Sequence, residues 1–294
     1  MKRTDFLKKS ALGLVGAIAA TKLSAKDLET TKTITTPEDE LDRVGYNHLP
    51  NEKSNIMNNM VLHRAETRGN ANHGWLNSNH TFSFANYHNP ERMHFGVLRV
   101  LNDDHVEAGM GFGTHPHNNM EIISIPLEGD LEHKDSMGNT TVIKQGDVQV
   151  MSAGTGVQHS EYNKNKDKAV KFLQIWVFPR EKGVLPRYDQ MNFPKADRHN
   201  KLQQVLSPNA HDEGVWIHQD AWFHLGDFDK GFKTNYRLKK AGNGVYAFVL
   251  KGAININGQD LKTRDGLGVW DVSELNIEAS TDAELLLMEV PMNI

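Results

Sequence analysis

Two segments concentrate the residues able to hold a metal ion: residues 109–121 (GMGFGTHPHNNME) and residues 146–161 (GDVQVMSAGTGVQHSE). In an extended strand, side chains at i and i+2 share a face, so His115 and His117 form one two-toothed clamp and His159 and Glu161 another. If the segments pair across one small barrel, three imidazoles and one carboxylate converge in its mouth. That N₃O set suits Fe(II), Cu, Ni, Mn or Zn rather than Ca or Mg. Glu121 has the same parity as His115 and His117 along an unbroken strand and is a rival carboxylate, although Pro116 and Asn118-Asn119 make the parity less secure. The chain contains no Cys, which excludes disulfides, thiolate catalysis, iron–sulfur clusters and Cys-ligated zinc. Any metal must therefore be held by His and carboxylates. Of the other 12 among the chain's 15 His, His133 (with Asp135) follows a turn and reads as a loop residue. His218 and His224, six apart, read as structural.

The elements that must position these residues are short β-runs. From Val97 onward, apolar stretches such as residues 120–127, 141–143, 147–151 and 170–178 are separated by Gly, Asn and Asp turns, with no competing helical period. After a Pro- and charge-rich stretch, a second β-rich run appears in the same order of strands and glycine turns. Gly129 and Gly146 of the first match Gly252 and Gly266 of the second. The pattern predicts an all-β bicupin, two antiparallel β-barrel (jelly-roll) domains with few helices. The expected boundaries are a metal-bearing cupin domain over 59–182, a linker over 183–200 and a second cupin-like domain over 201–294. Counting from the matched glycines, the counterparts of His115, His117, His159 and Glu161 in the second half are Leu238, Lys240, Ala279 and Thr281. None of these replaces the N₃O set, so the second barrel is expected to lack the metal.

The first 25 residues read as a targeting segment, with Lys2, Arg3, Lys8 and Lys9 before an apolar run over 11–20 and small residues at 17–19 and 23–25 that suit cleavage. Residues 3–8 resemble a twin-arginine leader with Thr4 in place of the second arginine. The expectation is export to the periplasm, with a cytoplasmic protein as the alternative. Residues 26–58 form a polar lead-in. The whole chain of 294 residues carries a net charge of −4. Removing five positive residues and one negative with the leader leaves 28 basic against 36 acidic residues, a net −8. This acidic balance offers no footprint for nucleic acid, and no stretch is long and apolar enough for a membrane-spanning helix.

Several collinear blocks resemble the pirin family of the cupin superfamily: Gly74-Trp75-Leu76, HTFSFANY (80–87), RVLNDD (99–104), HPHNNMEI (115–122), LEHKDSMGN (131–139), VQVMSAGTGVQHSE (148–161) and QIWVFP (174–179). The general cupin pattern fits less well, since Gly129 comes one residue late and Ser152 stands where that pattern has Pro. The resemblance implies His115, His117, His159 and Glu161 as metal ligands, favouring Glu161 over Glu121, and Fe(II) as the first candidate metal. It also implies an activity like that of quercetin 2,3-dioxygenases, which open the central ring of a flavonol with O₂ and release carbon monoxide. Glu161 is then the expected general base and a small aromatic, flavonol-like molecule the expected substrate. Trp75, Phe82, Phe84 and Phe95 are candidates for an aromatic-lined pocket or for barrel core. The alternative class is a non-enzymatic iron-binding regulatory or redox-sensing protein.

Overall fold

The computed structural model describes residues 59–294, so the leader and the lead-in up to residue 58 lie outside the described residues. The chain folds as two copies of one arrangement, each a seven-stranded sheet facing a four-stranded one. In the first copy the larger sheet runs Arg187–Asn192, Asp147–Ser152, Glu121–Glu128, Val170–Val177, Leu98–Val106, Leu76–His80, Gly69–Asn72. The smaller runs Gly111–His117, Val157–Asn163, Leu131–Asp135, Thr140–Ile143. In the second copy the larger sheet runs Met60–His63, Gly266–Val269, Asn243–Lys251, Ala283–Pro291, Trp222–Phe228, Leu202–Ser207, Val215–Trp216. The smaller runs Lys233–Arg237, Glu274–Ala279, Ala253–Ile256, Gln259–Lys262. Apart from the parallel pairing of Val215–Trp216 with Leu202–Ser207, these are antiparallel jelly-roll sandwiches whose sheets stay open. Among the described residues the helices are two single 3₁₀ turns, Ala65–Thr67 and Lys195–Arg198, and no helix is long and apolar enough to cross a membrane.

Two edge strands cross the boundaries expected from sequence. Met60–His63 precedes the first domain in the chain but pairs with Gly266–Val269 in the second. Arg187–Asn192, inside the stretch read as a linker, pairs with Asp147–Ser152. Pro186 and Pro194 bracket that strand rather than interrupt it, and at a sheet edge neither removes a needed ladder hydrogen bond.

The largest apolar cluster lies between the domains. There Leu98, Ile123 and Ile175 of one seven-stranded sheet meet Phe223, Phe248 and Met288 of the other. This explains why Val170–Val177 reads as a nearly continuous apolar run: Leu173, Ile175 and Val177 join the interdomain layer, while the alternate positions Phe172, Gln174 and Trp176 turn to the domain's own interior. The two interiors differ in kind. Sixteen buried apolar residues fill that of the second domain. In the first, six do so, gathered around Leu131, Ile143 and Phe172. The rest of that interior is polar.

Candidate metal centre

The strand Gly111–His117 is an edge of its sheet, which lets Pro116 sit between the two histidines without costing a hydrogen bond. His115 and His117 share the half-buried face and Pro116 is exposed. Across the ladder His159 lies opposite His115, and a bulge between His159 and Glu161 then places Glu161 opposite Phe112. The three imidazoles converge, with ring centroids 4.4 Å apart for His115 and His159 and 4.9 Å for His117 with either. One ring nitrogen from each lies within 4.8 Å of the others.

These nitrogens are poised as ligands. His115 Nδ1 donates to Gly113 O at 2.8 Å, which leaves its Nε2 as a lone pair. His117 Nε2 and both ring nitrogens of His159 are buried without a partner. Burial, reinforced by the neighbouring imidazoles, pushes the His117 pKa down to about 3 and that of His159 down to about 2. The imidazoles of His117 and His159 thus keep a free lone pair at neutral pH. Buried acceptors without donors are costly unless a cation meets them, and an imidazole-rich set suits a divalent transition metal. The residues present therefore fit the metal that the sequence implies.

Glu161 lies one layer deeper. Its oxygens group with His133 and His159 rather than with His115 and His117. Ser124 Oγ donates to Oε1 at 3.0 Å and Gln174 Nε2 to Oε2 at 2.6 Å. Burial, with help from nearby Asp104, pushes its pKa up to about 7. Glu121, the rival carboxylate, belongs to neither cluster. It accepts from Ser152 Oγ at 2.6 Å, and burial likewise pushes its pKa up to about 7.

His133 and Asp135 are not loop residues. They lie in the strand Leu131–Asp135, where Leu131, His133 and Asp135 are buried, and His133 stands opposite Glu161. The turn at residues 136–139 follows this strand, so its i, i+2 spacing was the same signal that marked His115-x-His117. Asp135 accepts from Met137 N, Asn139 N, Asn139 Nδ2 and His133 Nε2 at 2.8 to 3.1 Å. His224 is buried in the second domain 4.9 Å from the Tyr236 ring, and His218 stands 4.9 Å from Trp216.

An open cavity of about 480 Å³ leads to the cluster, lined by Pro116, His117, Asn118, Ser136, Thr155 and Gln158 among others. One wall depends on Gly154 at φ +47°, where a Cβ would collide with the Val184 carbonyl oxygen. Thr155 N donates to that oxygen at 2.9 Å, tying the turn to the segment before Arg187–Asn192. Of the four aromatics expected near a pocket, Phe82 and Phe95 are interdomain core and Trp75 packs on Phe112. Phe84 touches the site indirectly, 5.4 Å from Trp176, whose ring stands 4.9 Å edge-on to His117. Trp176 is the aromatic at the site, and the sequence pattern did not distinguish it from core.

Strand register corrects the counterparts in the second domain. His159 corresponds to Leu275, which pairs with Tyr236 as His159 pairs with His115. Glu161, opposite His133, corresponds to Ile277, opposite Ile256. Counting from Gly266 misses these because Gly146, at φ +93°, matches Arg264, at φ +69°, and because the following connection is two residues shorter. Leu275, Ile277 and Ile256 are all members of the second domain's apolar core.

Two stacked jelly rolls, with a histidine cluster in the first alone among the described residues, define a cupin-type protein with one metal-competent domain. Residues 61–177 match the Pirin family model, and residues 204–290 match that of the quercetinase C-terminal cupin domain. The chain belongs to the pirin family. It is 47% identical to the quercetin 2,3-dioxygenase of Escherichia coli K12 over 79% of this chain and 99% of that one. It is 40% identical to a pirin-like protein of Caulobacter vibrioides over 75% of this chain and 95% of that one. The crystal structure of the bacterial pirin YhhW from Escherichia coli in complex with nickel(II) superposes with a TM-score of 0.75 at 46% identity, covering 79% of this chain and 99% of that one.

Proposed function

We propose that the chain is a metal-dependent dioxygenase that opens the central ring of a flavonol with O₂. The observation that carries this reading is 47% identity to a quercetin 2,3-dioxygenase over 99% of its length, in a chain whose three clustered histidines include one, His117, that lines an open cavity. We assign His115, His117, His159 and Glu161 as the residues that hold one divalent transition metal. Neutral imidazoles with unpartnered nitrogens support the assignment, and the nickel(II) complex of the similar pirin supports the metal class. We favour Fe(II), because reaction with O₂ suits a redox-active ion. When bound, such a metal supplies Lewis acidity toward the flavonol hydroxyl and a path for electrons to O₂.

The chain's own residues do the rest. Glu161, a buried carboxylate on the strand that carries His159, takes the proton of the flavonol 3-hydroxyl. Ser124 and Gln174 fix the two carboxylate oxygens. Trp176 packs its ring against His117 and so fixes the wall of the cluster next to the cavity. Oxygen uptake with carbon monoxide release on quercetin tests the reading, with Glu161→Gln as control.

We further propose that the mature protein is exported, on the ground of the charged and apolar pattern of residues 1–25. N-terminal sequencing of cell fractions tests this. A periplasmic chain beginning near residue 20 or 26 supports it, and an intact chain in the cytoplasm contradicts it.

A further inference from the structure

His159 lies between two groups. On one neighbouring strand it faces His115, and on the other side its ring centroid is 5.3 Å from that of His133. A nitrogen of His133 lies within 4.8 Å of a nitrogen of His159 and of an oxygen of Glu161.

The tautomer of His133 follows from its partner. Asp135 accepts three other hydrogen bonds, from Met137 N, Asn139 N and Asn139 Nδ2, and as a carboxylate it has nothing to donate. His133 Nε2, 3.1 Å from Asp135 Oδ2, must therefore carry the hydrogen. That leaves Nδ1 as a lone pair, fully buried and without a donor. His159 has the complementary need. If one of its nitrogens meets a metal, the other carries N–H, and neither nitrogen has a partner in the protein. One buried acceptor and one buried donor, each otherwise unmet, stand side by side.

We propose that Asp135 and His133 form a positioning relay for the metal centre, in which His133 Nδ1 accepts the N–H of His159 that the metal does not use. This rests on the assignment of His159 as a metal ligand. His133 is a positioning residue: it fixes the tautomer and ring orientation of His159 and does not itself hold the metal. Tyr188, whose ring centroid is 4.8 Å from that of His133, closes the other side of the imidazole.

The test is nickel(II) binding to the full chain by competition with a chelator, together with the copper(II) electron paramagnetic resonance spectrum of each variant. His133→Phe is expected to weaken nickel binding about 10- to 100-fold, to keep one metal per chain at saturation and to shift the copper hyperfine splitting. His133→Gln, which restores an acceptor, is expected to recover most of the loss. Asp135→Asn is the second variant: it presents a donor to Nε2, moves the His133 hydrogen to Nδ1, and is expected to weaken binding with the ring still in place. Nickel affinity within twofold of wild type in both His133→Phe and Asp135→Asn overturns the proposal. So does a loss of stoichiometric binding in His133→Phe equal to that of His159→Ala, which makes His133 a ligand. If the wild-type chain itself binds no nickel, the metal assignment falls, and the relay falls with it.

Discussion

Gln174 Nε2 donates to Glu161 Oε2 at 2.6 Å, and in the second domain the corresponding residues are Leu287 and Ile277, both members of one apolar core. The same register pairs Ser124 with Ala247 and Gln149 with Leu267. The two interiors thus share a backbone and differ in a handful of inward side chains. Where those side chains are apolar the interior is a core. Where they are Ser124, Gln149, His133, His159, Glu161 and Gln174 it is a polar chamber.

Gln174→Leu copies the second domain's choice at one position while leaving the carboxylate behind. At pH 8 Glu161, with its pKa near 7, is ionised and loses a donor. Urea unfolding of the metal-free chain is expected to show a destabilisation of about 1–3 kcal/mol. At pH 5 the carboxyl is protonated in the folded state, and the effect is expected to shrink.

Asp104 carries another buried carboxyl, pushed from 3.8 up to about 7 by burial, with Asp103 adding to the rise. Its charged form is disfavoured in the fold, so between about pH 4 and pH 7 the unfolded chain releases this proton and the folded chain keeps it. This group therefore costs no stability below pH 4, and its cost grows to a plateau above pH 7. Asp104→Asn is expected to stabilise the chain by about 2–4 kcal/mol at pH 8 relative to its effect at pH 4. Urea midpoints of the two proteins across that range check it.

Gly154→Ala forces a side chain into a left-handed backbone and against the Val184 carbonyl oxygen. A loss of about 2–4 kcal/mol is expected, together with weaker quercetin binding, because Thr155 and Gly156 of the same turn line the cavity. Thermal unfolding and a fluorescence titration measure the two effects.

Much of this chamber was legible in the sequence. The i, i+2 spacing of His115 with His117 and of His159 with Glu161 gave the faces correctly, and the glycine turns gave the duplication. Three features were not legible. His133 looked like a turn residue because the Asp135 cap of the following turn masked the end of a strand. The counterparts in the second domain were displaced because Arg264 holds the positive-φ position that Gly146 holds in the first. The exchange of Met60–His63 into the second domain depends on pairing across more than 200 residues, which local pattern does not encode.

Metal loading should stabilise the wild-type chain by mass action, by about 2.7 kcal/mol at a free metal concentration 100 times Kd. His117→Ala removes a nitrogen that is buried and unpartnered, so it is expected to abolish the metal-dependent rise in Tm while leaving the metal-free Tm within a few degrees. Calorimetry with and without nickel(II) checks both halves of that statement.

The central claim is a flavonol dioxygenase built on His115, His117, His159 and Glu161, and its most direct test is turnover of quercetin by the iron-loaded chain in an oxygen electrode with carbon monoxide detection. One O₂ consumed and one carbon monoxide released per quercetin, with the rate per bound metal falling at least about 100-fold in Glu161→Gln, is the predicted result. A fully loaded wild-type chain that consumes no oxygen with quercetin or related flavonols would contradict it.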